Sequence, residues 1–195
     1  MAKALLTFVL FLSQMLVFGQ EKLIKDLDHD GVKDTVYLSG KESIIVCRLS
    51  SQKFTKIQSQ ALANLDDNAG IKATKSGFEL FNDWMRTGFK TQFRYNKDTK
   101  KVQLIGVSRY SYGGATHDGS GESSLNLLTH DYIGDWNYFN PAANKGSGKL
   151  VKIPTIRTKM KFKTVNLESF DLGVYDDYEA KCTKLSEQHQ SGRAL

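Results

Sequence analysis

TGFKTQFRYNKDTKKVQLIGVSRYS, residues Thr87–Ser111, is the stretch whose reading decides the fold. Phe89, Gln92-Phe93 and Tyr95 precede the polar run NKDTKK, and Val102, Leu104 and Gly106 follow it with a period of two. Alternation on both sides of a turn-forming segment is the pattern of an antiparallel hairpin with one face in a core.

Working outward, the same signal recurs. TVYLSG, SIIVCRLSS, KFTKIQSQ and GFELFNDWM precede the hairpin and read as strands with short polar connections. ALANLDDNAGIKATKSG between them reads as a loop with a helical turn. After the hairpin, SLNLLTHDYIGDWNYFNP reads as a second hairpin turning near His130-Asp131, and LVKIPTIRTKMKFKTVNL alternates again, with Pro154 marking an edge or a bend. The segment from about Tyr175 to Gln188 reads as the one short helix, near the C-terminus. The expected fold is therefore all-β: an antiparallel meander closed as a barrel, a sandwich or a small propeller, with at most one short C-terminal helix.

Residues 1–19 read as a signal peptide: Lys3, an apolar run, and Gly19 ahead of Gln20-Glu21. The run is short for a stable membrane span, so the expectation is an exported protein, periplasmic or secreted. Residues 20–190 then read as a single β domain and 191–195 as a disordered tail. The composition, 40% hydrophobic and 25% charged, is ordinary for a globular chain. The formal charge is +6, and loss of Lys3 with the leader makes it +5. That charge bears on encounter with anionic partners, not on fold, and no recognition-helix pattern points to nucleic acid. Export permits a disulfide between Cys47 and Cys182; the alternative is two independent buried thiols. Cys47 would share a strand face with Ile45 and Leu49.

The strongest motif is DLDHDGVKD, residues 26–34, with the spacing D-x-D-x-D-G-x-x-D. Calcium takes six to eight oxygens, and this spacing supplies them from one tight loop. Asp26, Asp28 and Asp30 would each give a carboxylate oxygen and Val32 its carbonyl. Asp34 would bind directly or through water, and Gly31 permits the turn. Tyr37 stands where an EF-hand has its bidentate Glu, and the flanking TVYL reads as a strand, so this is not an EF-hand. The expected role is structural, pinning the N-terminus to the first strand.

DLDHDGVKDTVYL resembles the calcium loop-strand units of exported bacterial FG-GAP or VCBS-type repeat proteins, through Asp26, Asp28, Asp30 and Asp34. That resemblance implies an Asp loop between strands of a propeller-like blade, though only one such loop is present here. A second resemblance is to relatives of the C-type lysozyme-inhibitor fold, in which an SG-containing loop enters the enzyme's cleft. The matching residues are Ser120-Gly121, with Glu122 beside them. It implies inhibition of a peptidoglycan hydrolase and, against a basic enzyme, a locally acidic face around Asp118, Glu122, Asp131 and Asp135.

SYGGATHDGSGESS, residues 111–124, invites a catalytic reading that fails template by template. G-x-S-x-G around Ser120 meets Asp118 and Glu122 where glycines belong. No Gly-Lys-Ser/Thr ends the run, so it is not a P-loop. A hydrolase using residues 113–122 through His117 stays open as the alternative from another class. The favoured reading is a contact loop, with Tyr112, His117, Asp118, Ser120 and Glu122 meeting a partner and Trp136, Tyr138 and Phe139 near its base. Arg157, Lys159, Lys161 and Lys163 alternate with uncharged residues and would form a row on one strand face. Such a row either guards an edge or docks an anionic glycan. The sequence thus points to a calcium-binding, non-enzymatic binding module, with an envelope protein or an anionic glycan as partner.

Overall fold

The computed structural model describes residues 22–191. The expected signal peptide and the last four residues of the expected tail lie outside them. Among these described residues, twelve strands form two antiparallel sheets, with one α-helix. β1 (Lys22–Lys25), β2 (Asp34–Ser39), β3 (Ile44–Arg48) and β4 (Lys56–Gln58) pair in chain order as the first sheet. β5 (Gly70–Ala73), β6 (Phe78–Asp83), β7 (Thr87–Asn96), β8 (Lys101–Ser111), β9 (Gly121–Asn126), β10 (Asp131–Asn140) and β11 (Lys149–Lys152) form the second, again in chain order. β12 (Ile156–Lys159) also pairs with β10, beside its first half, while β11 takes the second half. Neither sheet closes into a barrel, so the meander is realised as two sheets around shared apolar residues.

The decisive hairpin is there, with one departure that sets the rest of the site. Gln92 pairs with Gly106 but Phe93 pairs with Leu104, leaving Ile105 as a bulge. A bulge inserts one residue and reverses inside and outside beyond it. Val102 and Leu104 face the core, as alternation predicts, but so does Val107, and Gly106, Ser108 and Tyr110 fall on the outer face. Simple alternation would have buried Ser108 and Tyr110.

The inner face of the large sheet, from Phe89 and Phe93 to Leu125, Tyr132 and Trp136, packs in one cluster with Val36, Ile45 and Cys47 of the small sheet. α1 (Gly173–Ser191) closes that cluster through Tyr175, Tyr178 and Cys182, a helical i, i+3, i+7 stripe. Tyr175 stacks on Phe89 with centroids 4.3 Å apart. Two polar contacts lie inside the cluster: Ser123 Oγ and Tyr178 OH are 2.7 Å apart, and Trp136 Nε1 donates to Tyr132 OH at 3.0 Å. Arg109, reversed inward by the bulge, forms an ion pair with Glu179 of the helix.

Several expectations are corrected. The helix is longer than expected and includes Ser191, so the tail boundary shifts by a residue. The segment expected as a loop with a helical turn contains β5, whose Lys72 and Ala73 are exposed and whose apolar signal is short. The row from Arg157 to Lys163 breaks, because β12 ends at Lys159 and Lys161 and Lys163 lie beyond the strand. Lys159 pairs with Asp131 at 2.6 Å. Cys47 and Cys182 are both free and buried, the second of the two readings of that pair. Among the described residues, no helix is long and apolar enough to cross a membrane.

Candidate metal centre and binding face

Residues 26–33 link β1 to β2, whose register pairs Lys25 with Asp34. The loop is tight because Gly31 takes φ 89°, a left-handed conformation that costs glycine nothing, and His29 takes φ 64°. The turn brings Asp26, Asp28 and Asp34 together, each offering an oxygen within 4.8 Å of the others. Asp28 is 6% exposed and Asp34 fully buried.

A buried carboxylate persists only with donors or a cation beside it. Asp34 Oδ2 accepts the Leu27 N–H at 2.6 Å, and Oδ1 accepts the Ser50 N–H at 2.8 Å. Asp26 accepts the N–H groups of His29 at 2.8 Å and Gly31 at 3.1 Å. The Ser51 hydroxyl donates to Asp28 Oδ2 at 2.5 Å. Every one of these donors is neutral. Among the described residues, no ion pair reaches Asp26, Asp28 or Asp34. Three clustered carboxylates without a cationic side chain form an all-oxygen site that can hold a metal ion.

Asp30 stands at the edge of this cluster. Its carboxylate accepts from the Val32 N–H and the Ser50 hydroxyl, both at 2.8 Å, and these bonds hold its pKa below the ordinary value. The same Ser50 hydroxyl lies 2.9 Å from Asp34 Oδ1, one proton between two acids. Val32 is half exposed and enters the hydrogen-bond pattern through its N–H. The negative field extends inward: burial first, then Asp34 and Asp28, push the Cys47 thiol up to about 12. Sequence reading missed Ser50 and Ser51. They sit in a 3-10 turn after β3, and nothing in a Ser-Ser doublet signals that it will fold back onto an acidic loop.

The glycine-rich loop divides into structural and exposed parts. Ser120 is 9% exposed, and its hydroxyl and carbonyl both accept from the Asn137 side-chain amide. Gly121 begins β9, so Ser120-Gly121 is held in the sheet and does not protrude. Asp118 Oδ1 accepts the Phe139 N–H at 2.7 Å, which pins the loop to β10. His117 Nδ1 donates to the Tyr112 carbonyl at 3.1 Å, and among the described residues no acid or hydroxyl bonds to its ring. Trp136 belongs to the core. The expected acidic face is largely neutralised, since Asp131 pairs with Lys159 and Asp135 with Lys152.

Tyr112, His117 and Glu122, with Ser120 at the floor, line one end of a longer feature. Three recesses run end to end along β8 and β9 on the outer face. The central one has a volume of about 300 Å³. It shares Ser108 and Ser124 with one neighbour, and Tyr110 and Glu122 with the other. From Gly106 to Tyr112 the trough is roughly 20 Å long, six residues at strand rise. Comparison of the chain with protein-family models, with curated proteins and with solved structures returns no match.

Proposed function

We propose that the protein is an exported, non-enzymatic binding module that uses calcium to fix its first hairpin and the outer face of its large sheet to hold a ligand. The observation that carries the reading is the trough along β8 and β9, in which Tyr110, Tyr112, His117 and Glu122 gather at one end. Ligand-binding residues concentrate on loops held by rigid scaffolds, and this loop is pinned through Asp118 and Ser120.

Calcium follows from the donor set. Oxygens alone, spaced along one flexible loop, suit a hard cation with irregular coordination. Asp26, Asp28 and Asp34 would hold it, with Asp30 beside them, and its charge would offset a cluster that no side-chain cation balances. Outside the cell calcium is plentiful, which fits the leader-like residues 1–19.

The test has two arms. Titration of the purified protein with calcium by calorimetry should give one site, lost in Asp26→Asn. A pull-down from envelope extract, comparing the protein with Tyr112→Ala/Glu122→Ala, should show capture of cell-wall material or a partner that the double variant loses. Equal capture by both proteins would remove the trough from the reading.

A further inference from the structure

Among the described residues nothing packs on the outer face of the large sheet along β8 and β9, and its side chains are ordered in rows by the strand registers. Gln92, Gly106 and Asn126 lie across one row; Lys90, Ser108, Ser124 and Ile133 across the next; Gly88, Tyr110, Glu122 and Asp135 across the third. The middle of each of the first two rows is therefore glycine or serine, flanked by longer side chains. That arrangement makes the trough, and its floor lets a chain approach the sheet closely.

The third row carries the aromatic group. A Cβ on Gly88 would sit 2.6 Å from Tyr110 Cε1 and 2.8 Å from its hydroxyl, so the ring rests directly over that glycine. Its hydroxyl donates to Asp83 at 3.1 Å, which ties the ring at its far end. Burial and this carboxylate raise the Tyr110 pKa. The ring lines both the central recess and the loop-end recess, and Tyr112 lies beside it with centroids 5.3 Å apart. A tethered aromatic ring in a shallow polar trough offers an apolar platform surrounded by hydrogen-bonding groups.

Those groups are free to be used. The Ser108 and Ser124 hydroxyls face each other on the floor, and neither has a hydrogen-bond partner among the described residues. Each offers one donor and two acceptor positions. The trough carries no excess of positive charge. Arg109 is paired with Glu179 and Asp135 with Lys152, whereas Asp83 receives only the neutral Tyr110 hydroxyl, so Lys90 is opposed by both Glu122 and Asp83. A polyanion gains nothing from such a surface.

A peptide strand is a poorer occupant. Peptides bind sheets at edges, where unpaired backbone groups complete a ladder. Here the backbone of β8 and β9 is already paired on both sides, so a peptide's own N–H and C=O groups would find only side chains. A polymer whose polar groups are all hydroxyls, and whose rings present apolar faces, fits both the floor and the platform.

We propose that the trough is a glycan subsite for an extended, uncharged polysaccharide strand, with Tyr110 as its stacking platform and Ser108, Ser124 and Glu122 as its hydroxyl-reading groups. The proposal rests on the binding-module reading above and names the class of its ligand. The experiment measures binding of the purified protein by calorimetry to cellohexaose, chitohexaose and laminarihexaose, and to polygalacturonate as the anionic comparison. At least one neutral hexaose should bind, and polygalacturonate should not. Tyr110→Ala should weaken the neutral ligand at least about tenfold, while Tyr110→Phe, which keeps the ring, should stay within about threefold. Ser124→Arg fills the floor from an exposed position and should abolish binding even if Tyr110→Ala folds poorly. Lys41→Ala, on the distant β2–β3 turn, should bind as wild type. Failure of all three neutral hexaoses, tighter binding of polygalacturonate, or undiminished binding by Ser124→Arg would overturn the proposal. If Ser124→Arg instead abolishes capture of an envelope protein while no glycan binds, the binding-module reading stands and the glycan class falls. If Ser124→Arg changes no capture of any kind, both fall.

Discussion

Adding or chelating calcium and removing single carboxylates should separate the proposed metal-binding role of the acidic loop from its hydrogen-bonding role. Calcium sites of extracellular modules have Kd values of roughly 10⁻⁴–10⁻³ M, so about 10 mM calcium stabilises the folded state by RT ln(1 + [L]/Kd), about 1.4–2.7 kcal/mol. For a chain of this size each kcal/mol moves Tm by about 2–4 °C, which makes the expected calcium-dependent rise about 3–11 °C. Asp26 is half-buried, and an asparagine oxygen there can still accept from His29 or Gly31. Asp26→Asn in EGTA should therefore stay within about 1 kcal/mol of wild type while losing most of the calcium increment. Asp34→Ala differs, because it strands the Leu27 and Ser50 N–H groups. At about 1–3 kcal/mol for each unsatisfied donor, it should cost about 2–6 kcal/mol even in EGTA. The assay is thermal unfolding followed by circular dichroism, each protein measured with calcium and with EGTA. If the acids are only a solvated turn, Asp26→Asn relieves repulsion and leaves Tm equal or higher in both buffers. That outcome, or a wild-type Tm indifferent to EGTA, refutes the cation reasoning.

Other outcomes follow from the core. A Cβ on Gly134 would meet Tyr132 OH at 2.3 Å and Trp136 Nε1 at 2.8 Å, so Gly134→Ala should break their hydrogen bond and lower stability by about 1–3 kcal/mol in urea unfolding. An unchanged midpoint would show that the two rings repack freely. Burial raises the Cys47 thiol from 9.0 to about 12 and raises Tyr132, Tyr175 and Tyr178 above 10.0. Raised acids favour the folded state below their unfolded pKa values, and that contribution is lost as pH rises through the folded ones. The urea midpoint should therefore fall steadily above about pH 9, and a flat profile to pH 11 would contradict the burial of these groups. Both thiols should resist a disulfide-exchange reagent at pH 8 and react together on unfolding; fast native labelling of either would place it at the surface.

Much of this fold was legible because its pairings are local. Ten of the strands lie within spans where polar connections separate runs of β-branched and aromatic residues, and apart from β12, which returns to β10, chain order is spatial order in both sheets. The acidic loop was legible for the same reason. Asp26, Asp28 and Asp34 come together, with Asp30 at their edge, within nine residues of chain, and Gly31 marks the turn. What the loop folds onto was not legible. Ser50 and Ser51 arrive from beyond β3, and a serine gives the same sequence signal whether it faces water or a carboxylate.

The trough on the outer face was hidden by a single residue. Read with unbroken alternation, β8 carries Val102, Leu104, Gly106 and Ser108 on one side, and Tyr110 joins the core. Ile105 has no partner across the hairpin, and this one insertion buries Val107 and Arg109 instead. Arg109 inside is tolerable only because Glu179 of α1 and the Trp136 ring meet it there. The compensation for the bulge thus lies some 70 residues downstream, where no local pattern reveals it. Once β8 is reversed, its registers with β7 and β9 bring Gly88 under Tyr110 and set Ser108 against Ser124. Neither pair is adjacent in sequence, and each looks ordinary alone. The glycine-rich loop that drew the catalytic reading supplies only one end of the trough, whereas its length and platform come from the outward residues of three strands whose alternation marks them merely as polar.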